Sequence, residues 1–582
     1  MKELKYINKY FIKYKWRLLF GLLITVIATL FTLLVPMKIG DSIDVIRAGM
    51  EGEITDMAYI KSDMLRNIFI IIGSALLSAF FTFLMRQTII VVSRFIEYDL
   101  KNEVFQQYEK LSLSFYKENR TGDLMNRISE DVSSVRMYAG PALMYSTSTI
   151  TLFIVVITYM LIKAPILTLY TIMPLPILSF AIYKLSIAIH HKSTVVQQYL
   201  SKLTTSTQES FSGIRIIKAY GIEERHYDSF KDLANSSKDK NIDLAKVQAL
   251  FFPLMLLLIG LSNILVLYIG GKQYINGTIE LGTVVEFLIY VNMLSWPVAS
   301  VGYITSMVQR AEASQKRINE FLKIIPEIVS PNDIKVDLQG DIVFENVSFV
   351  YPDTGIKALK NIDLHIKRGE TVAIMGNTGS GKSTLLDLIG RLYDPTEGRL
   401  LLDNKDAREI NLESLRSAIG YVPQDSFLFS DSIKHNIRFG KKDATQEEVE
   451  NAAKQAAVHH NIVGLSNGYD TVLGERGITL SGGQKQRISI ARAFIKDPVI
   501  LLLDDSLSAV DTETEETILN NLKDVATNKS TLLVSHRVST AKNADRIIVL
   551  EDGEIIQEGT HKDLLNTEGY YKYLYAKQLL EK

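Results

Sequence analysis

The 582-residue chain is too long for one ordinary domain, and its net charge of −1 argues against bulk electrostatic attraction to nucleic acid. It contains no cysteine, which excludes disulfides, cysteine-ligated zinc and thiol catalysis. Hydrophobic residues make up 47% of the chain, and the mean hydropathy is slightly positive. These averages fit a chain that is embedded in a membrane in one part and soluble in another.

Six uncharged runs lie in the first 310 residues, and each is long enough to cross a hydrocarbon core of about 30 Å as an α-helix. The runs are Leu18–Met37, Asn67–Met85, Tyr138–Ile162, Ala164–Tyr183, Val247–Gly271 and Phe287–Gln309. Buried helices of a large soluble protein are the alternative, but such a protein rarely has six of these runs in one half of its chain. We therefore predict an α-helical, six-span transmembrane domain over residues 1–310.

The loops between the runs indicate how this domain is oriented. Six basic residues and a single acid precede the first span, which favours a cytoplasmic N-terminus. Connections 86–137 and 184–246 are long, charged and apolar at helical spacing, so we expect two helical arms that extend roughly 35–45 Å into the cytoplasm. Turns at Asn119–Gly122 and around Ile214–Tyr220 are expected to contact a second domain, with ordinary surface turns as the alternative.

Few charges lie near the membrane, and all of them lie near the ends of spans. They are Asp41, Asp44, Arg86, Arg94 and Glu286. A charge deep in the bilayer would indicate a path for substrate or ions. Because of their positions, we expect these side chains to be solvated flanks instead.

The pattern changes after the last span. Residues 311–338 lose the hydrophobic runs, contain Pro326 and Pro331, and are predicted to be a linker. From Gly340 onward, short β-rich runs alternate with amphipathic helices, which is typical of an α/β domain with a largely parallel sheet. The second domain is therefore expected over residues 339–582.

The strongest motif of this domain is the glycine-rich segment Gly376–Ser383, which fits G-x-x-x-x-G-K-[ST] and is called the P-loop below. It follows the strand-like Thr371–Met375 and opens a helix, so backbone N–H groups can surround phosphates at a helix N-terminus. We expect Lys382 to reach the β- and γ-phosphates of ATP, and the Ser383 hydroxyl to coordinate Mg²⁺. The residues predicted to bind ATP here are Gly376, Asn377, Thr378, Gly379, Ser380, Gly381, Lys382, Ser383 and Thr384.

Two neighbouring carboxylates, Asp504 and Asp505, follow the strand-like run Val499–Leu503. A buried strand delivers such groups to the edge of the sheet where α/β proteins place catalysis. We expect Asp504 to act through the Mg²⁺ shell. Together with the P-loop, these residues indicate a nucleotide hydrolase but not which kind.

The segment Leu480-Ser-Gly-Gly-Gln484, ahead of the helical Lys485–Lys496, indicates which kind of nucleotide hydrolase this is. With it, the sequence resembles the ABC transporter family over its whole length, and in particular a half transporter of the type I exporters for drugs or lipids. The resemblance implies ATP-driven export of a hydrophobic or amphipathic drug, lipid or peptide by alternating access. It also implies a multi-pass protein of the cytoplasmic membrane, with ATP and Mg²⁺ bound.

Further residues match this family in chain order. Tyr351 resembles the aromatic that stacks on adenine, and Gln424 resembles the residue that senses Mg²⁺ and contacts the arms. Gly474–Gly477 resembles an exporter-type segment that precedes the signature. Ser508–Asp511 resembles the D-loop, with Asp511 at its end, and His536 resembles the switch histidine that holds the γ-phosphate.

The resemblance also implies a partner subunit. In this family the signature contacts an ATP molecule that is held by the P-loop of the opposite subunit. Here the signature residues are Leu480, Ser481, Gly482, Gly483 and Gln484. Ser481 and the glycine N–H groups lie at a predicted helix N-terminus, which suits a γ-phosphate. The chain has one such domain, so it requires a second half transporter, and no nucleic-acid partner is expected.

Asp505 departs from the family pattern, which usually has Glu here as the general base. The shorter side chain withdraws the carboxylate by about one C–C bond, and a misplacement of ~1 Å can cost on the order of 10²-fold in rate. Asp505 could still be the base of a homodimer, beside His536 and Gln424. We favour a heterodimer in which this site is degenerate and the partner supplies the Glu. A regulatory nucleotide-binding half or gated channel with little ATPase activity of its own is the other alternative.

Overall fold

The structure, a computed structural model, describes residues 2–330, 335–474, 477 and 480–580. It divides into two compact units. The first comprises Met1–Tyr108 with Gly122–Lys323, and the second comprises Glu109–Thr121 with Ile324–Lys582. The first unit is helical, and the second combines helices with two β-sheets, which confirms the predicted fold class.

Among the described residues, six helical stretches are long and apolar enough to cross a membrane, judged by length and composition. In chain order these spans one to six are Lys15–Met50, Met57–Lys110, Thr121–Lys163, Pro165–Ser212, Glu223–Ile275 and Leu281–Leu322. The α-helical segments from the N-terminus to the end of span six are Asn8–Lys13, Lys15–Met50, Met57–Lys110, Leu113–Glu118, Thr121–Asn126, Val132–Met137, Leu143–Lys163, Pro165–Ile172, Pro174–Ser212, Ile214–Tyr220, Glu223–Ala249, Phe251–Leu265, Gly271–Ile275 and Leu281–Leu322. Each uncharged run of the sequence falls in a separate span, apart from Ala164, which precedes span four.

The spans are longer than a bilayer requires. Span two has 54 residues, and a helix of that length measures ~80 Å. Span six continues to Leu322, beyond Ala311, where the linker is predicted to begin. The sequence explains this difference: residues 311–322 contain no Gly or Pro, and Ala311, Ile318 and Phe321 form a fully buried stripe at helical spacing.

Two of the acids near the ends of the spans make contacts with neighbouring spans. Glu286 is 1% exposed, accepts a hydrogen bond from the Tyr159 hydroxyl at 3.3 Å, and has Lys163 Nζ 4.0 Å from its other oxygen. The Asp44 carboxylate accepts the Gly282 N–H at 2.6 Å. The expectation of solvation was therefore wrong for Glu286, whereas Asp44 is half-buried. The two side chains bond spans one, three and six to each other. Arg86 and Arg94 are exposed, as expected.

Span one approaches span six closely beside these two acids. A Cβ atom added to Gly282 would lie 2.2 Å from the Gly40 carbonyl oxygen and 2.5 Å from Asp44 Oδ2. A Cβ atom added to Gly40 would lie 2.3 Å from Glu286 Oε1. Only glycine at both positions allows this contact.

We expect Gly282→Leu to destabilise the membrane unit, because the added side chain would have to separate spans one and six. Overpacking of this kind typically costs about 1–3 kcal/mol. The measurement is the apparent unfolding temperature of the purified, detergent-solubilised chain at a fixed heating rate. Gly73→Leu on span two is the matched control, since nothing lies within 4 Å of a Cβ atom there. Equal unfolding temperatures for the two variants would contradict the packing argument.

The second unit contains two sheets. Its strands are β1 Ile342–Val350, β2 Lys357–Ile366, β3 Thr371–Gly376, β4 Glu397–Leu402, β5 Lys405–Asp406, β6 Ile419–Val422, β7 Ile500–Asp504, β8 Ser530–Val534, β9 Arg546–Glu551 and β10 Glu554–Gly559. An antiparallel sheet has the order β2-β1-β4-β5, and a larger sheet has the order β10-β9-β3-β8-β7-β6. In the larger sheet β9, β3, β8, β7 and β6 are parallel, and β10 is antiparallel. Its central strands are buried, which matches their near-continuous runs of Val, Ile and Leu.

The helices of this unit are Lys382–Ile389, Leu412–Ser417, Ile433–Arg438, Gln446–Gln455, His459–Val463, Gly482–Phe494, Thr512–Val525, Val538–Ala541, His561–Asn566 and Tyr570–Leu580. Some of them, such as Lys382–Ile389 and Gly482–Phe494, pack on strands of the larger sheet, while Ile433–Arg438 and Gln446–Gln455 pack on other helices. The helix Leu113–Glu118 of the first predicted arm also belongs to this unit, and Leu113 packs against its hydrophobic core. The tip of the second arm, Ile214–Tyr220, lies in the membrane unit, and its contact with the α/β domain stays a prediction.

Candidate functional site

Four neighbouring parallel strands, β3, β8, β7 and β6, end at the same edge of the larger sheet. The P-loop follows β3, His536 follows β8, and Asp504 and Asp505 lie at the end of β7. Gln424 follows β6 and is exposed. The structure therefore brings the predicted phosphate, metal and catalytic residues of this chain to one edge.

The P-loop has the backbone conformation that its glycines allow. Gly376 and Gly381 have φ values of 146° and 100°, and a Cβ atom on either would lie within 2.4 Å of a backbone oxygen. Nothing lies within 4 Å of a Cβ atom placed on Gly379, so the loop faces open space there. Lys382 Nζ donates hydrogen bonds to the carbonyl oxygens of Gly376 at 3.1 Å and Asn377 at 2.7 Å. The Lys382 ammonium group therefore lies against the loop that is predicted to bind the phosphates.

Two observations show that this loop suits a magnesium–triphosphate. The buried Ser380 hydroxyl oxygen has no hydrogen-bond partner among the described residues, although it lies inside the glycine cradle. Ser383 Oγ donates to Asp504 Oδ1 at 3.1 Å, which pairs a hydroxyl oxygen with a carboxylate oxygen. Oxygen ligands of this kind are the ones that Mg²⁺ prefers. The residues present therefore fit both groups.

Burial and charge determine the protonation of this edge. Burial raises the pKa of Asp504, and the Ser383 hydroxyl opposes the rise. Burial lowers the pKa of Lys382, and the two carboxylates Asp504 and Asp505 oppose that change. Partial burial and then the Lys382 ammonium lower the pKa of His536, against the attraction of Asp505 and Asp504. His536 is therefore mainly neutral at pH 7.

Asp505 occupies an unusual backbone conformation. Its φ is 42°, in the left-handed region, and its N–H donates to the Val534 carbonyl of β8 at 3.2 Å. The Asp505 carbonyl accepts a hydrogen bond from Ser508 Oγ at 2.9 Å. Within the described part of the chain, no group donates to its carboxylate. The backbone is thus fixed, while the carboxylate stays available to a water molecule or a ligand.

The signature and the D-loop pack on each other. Ser481 caps the helix Gly482–Phe494, and Ser481 and Gln484 exchange backbone-to-side-chain hydrogen bonds at 3.0 and 3.3 Å. A Cβ atom on Gly483 would lie 2.8 Å from the Ala509 carbonyl oxygen. The Asp511 carboxylate accepts the Thr514 N–H at 2.9 Å as the cap of the next helix. The Gly483 carbonyl oxygen also accepts a hydrogen bond from Arg487 Nε at 3.3 Å. Among the described residues, no hydrogen bond of Ser481–Gln484 reaches the P-loop.

The structure describes some of the other residues that were predicted from the sequence and leaves others outside its described part. Tyr351 lies directly after β1, and its hydroxyl bonds to Thr384 Oγ1 of the P-loop helix at 2.8 Å. Leu480 packs against the hydrophobic core. In the exporter-type segment Gly474–Gly477, Glu475 and Arg476 lie outside the described residues, as do Pro331 and its three successors in the linker.

Sequence reasoning missed the pair Asp387–Tyr421. Asp387 lies one turn after Ser383, and its Oδ1 accepts the Tyr421 hydroxyl at 3.2 Å. Burial raises the pKa of Asp387 to about 6, while the Tyr421 hydroxyl and the Lys117 ammonium oppose the rise. The helical spacing from Ser383 was the available signal for Asp387. Neither Tyr421 nor Lys117 carries a motif of its own.

Two family descriptions match this chain. "ABC transporter transmembrane region" matches residues 18–298, and "ABC transporter" matches residues 359–508, which includes the P-loop, the signature and the end of β7. The chain belongs to the ABC transporter family. It is a multi-pass membrane protein with an ATPase domain, and its ATP hydrolysis is coupled to transport.

Individual relatives cover almost the whole of this ABC transporter. The "Probable multidrug resistance ABC transporter ATP-binding/permease protein YheI" of Bacillus subtilis is 35% identical over 99% of this chain and 98% of its own length. The "Multidrug resistance-like ATP-binding protein MdlA" of Buchnera aphidicola is 36% identical over 100% of this chain and 99% of its own. A solved bacterial Atm1-family ABC exporter with ATP bound superposes with a TM-score of 0.81 at 28% identity, covering 97% of this chain and 98% of that one.

We expect Asp387→Asn to alter the pH dependence of stability in this transporter. Because the folded-state pKa is raised to about 6, the wild-type protein loses stability as pH rises from the unfolded value of ~3.9 to about 6. Asn keeps an acceptor for Tyr421 but cannot ionise, so the variant should unfold a few degrees higher at pH 7 and match the wild type only below about pH 4, where the Asp387 carboxyl is protonated in both states. Thermal unfolding of the full chain across this range is the measurement. An unchanged slope in the variant would show that Asp387 does not titrate as described.

Proposed function

We propose that this chain is one half of a dimeric exporter that moves a hydrophobic or amphipathic substrate out of the cell by alternating access. The observation that supports this most is the convergence of the P-loop, Asp504, Asp505, Gln424 and His536 at one sheet edge, in a chain with six apolar spans. The relatives named for multidrug resistance support drugs as the substrate class. The basic residues before span one support a cytoplasmic N-terminus in the cytoplasmic membrane.

Each residue of the edge has a proposed role in ATP hydrolysis. The P-loop N–H groups and Lys382 hold the phosphates, and the open space above Gly379 admits them. Ser383, Asp504 and Gln424 would hold Mg²⁺, which neutralises phosphate charge when bound. Asp505 orients the attacking water with its available carboxylate. His536, neutral at pH 7, can donate one N–H to the γ-phosphate.

The signature supports the need for a second subunit. Ser481 caps a 13-residue helix, so the N-terminal N–H groups of that helix can bind a phosphate. The hydrogen bonds of Ser481 and Gln484 do not reach this chain's own P-loop. We propose that Ser481, Gly482 and Gly483 contact ATP on the partner, with the D-loop and Asp511 at the same junction.

We further propose that the partner is a different chain. Asp505 withdraws the carboxylate by about one C–C bond relative to Glu, and such a displacement can cost on the order of 10²-fold in rate. The site on this P-loop is then the weaker one, while this chain's signature completes the stronger site. A homodimer with Asp505 as a working base is the second candidate, supported by the retained His536.

Steady-state ATPase activity tests this pairing. The purified chain alone should turn over slowly, and Asp505→Glu should raise its rate by at least about tenfold, since the carboxylate then regains its reach. Lys382→Ala in the same background should abolish the activity and so identify the P-loop as its source. Brisk turnover of the unchanged chain that disappears in Asp505→Asn would instead favour the homodimer.

A transport assay distinguishes an exporter from a channel or from a regulatory half transporter. Inside-out vesicles that contain the chain with its partner should accumulate an amphipathic fluorescent dye only with MgATP. Lys382→Ala should remove that accumulation without changing passive leak. Dye movement down its gradient that ATP merely gates would reject active export.

A further inference from the structure

Lys117 of the first arm lies beside the aromatic residue that is predicted to contact adenine. Its Nζ atom is 4.4 Å from the centroid of the Tyr351 ring and 5.0 Å from that of Tyr393. Both distances are within the range of cation–π attraction. All three residues belong to the second unit, because the arm segment Glu109–Thr121 is part of it.

Several contacts fix the orientation of the Tyr351 ring. The hydroxyl bonds to Thr384 Oγ1 at 2.8 Å, which ties it to the residue after Ser383. Phe349 and Tyr393 meet the ring edge to face, at centroid distances of 4.9 and 5.6 Å. Lys117 is the only arm residue among these partners in the described structure. The arm therefore contributes directly to the wall that would face the base.

The arm segment is itself held in place. The Ser112 hydroxyl donates to Glu327 Oε2 at 3.2 Å, and the Ser114 hydroxyl bonds to the same oxygen. Leu113 packs against the hydrophobic core. Lys117 projects from a short helix that these contacts anchor, so its position near the two rings is not that of a free surface side chain.

We propose that Lys117 is a positioning residue for nucleotide binding, which holds Tyr351 in the orientation that receives the adenine base. This inference rests on the proposed role of Tyr351 in ATP binding. By thermodynamic linkage, a base bound to Tyr351 stabilises the arm segment by the same free energy that Lys117 adds to binding. The arm would thereby respond to the base of the nucleotide, in addition to its phosphates.

The test compares two probes on the full chain in lipid nanodiscs. MgATP carries a base, and magnesium tripolyphosphate does not. Lys117→Met should raise the dissociation constant for MgATP by about three- to tenfold and leave that for tripolyphosphate nearly unchanged. Lys117→Arg should restore MgATP binding, because the cation is kept. Lys110→Met, the same loss of charge on the same segment, is the control and should change neither constant.

A double-mutant comparison completes the test. In a Tyr351→Ala background, Lys117→Met should have no further effect. Equal weakening of both probes, tighter MgATP binding in Lys117→Met, or an undiminished effect without Tyr351 would each overturn the proposal. If Tyr351→Ala leaves MgATP binding unchanged, the proposed base site itself fails. If Tyr351→Ala weakens binding and Lys117→Met does not, only the role of Lys117 is rejected.

Discussion

Parallel pairing of β3, β8, β7 and β6 is the constraint from which the ATPase site follows. Parallel strands end at a common edge, so four segments that are far apart in the sequence deliver their first loop residues to one place. Within these strands, the predicted site residues are the last ones, Gly376 of β3 and Asp504 of β7. Their buried Val, Ile and Leu side chains set the position of that edge, and the glycines of the P-loop then let the chain turn back over it.

The same sheet geometry gives a backbone reason for an aspartate at position 505. Asp505 is the first residue after β7, and its backbone N–H donates a hydrogen bond to the Val534 carbonyl of β8. In this position the φ of Asp505 is 42°. Aspartate tolerates the left-handed region better than most side chains, and others lose roughly 1 kcal/mol or more there. Asp505 is therefore compatible with this backbone conformation, and its carboxylate reaches about one C–C bond less far than that of a Glu would. One short side chain thus accounts for both the tolerated φ and the shorter carboxylate.

Much of this could be predicted from the sequence, because the signals are local. The spans follow from apolar runs, and the P-loop and Asp504 follow from motifs whose structural context, strand then helix, is itself visible in the sequence. The missed features depend on contacts between distant segments. Glu286 is buried because Gly40 and Gly282 let two helices meet, and Lys117 lies near Tyr351 because the arm segment folds into the second unit. Neither contact has a periodic pattern or a motif.

Two acids of the membrane unit set a condition on the proposed transport cycle. In that cycle spans one, three and six would separate where Glu286 meets Tyr159 and Asp44 meets the Gly282 N–H. Leaving such a buried polar group without its partner costs about 1–3 kcal/mol, unless water enters as the spans part. In the proposed cycle, ATP would have to bind the closed dimer more tightly than the open one by more than this cost before the spans part. The free energy needed to break these contacts thus sets a lower limit on the coupling between ATP binding and span separation that the proposed cycle requires.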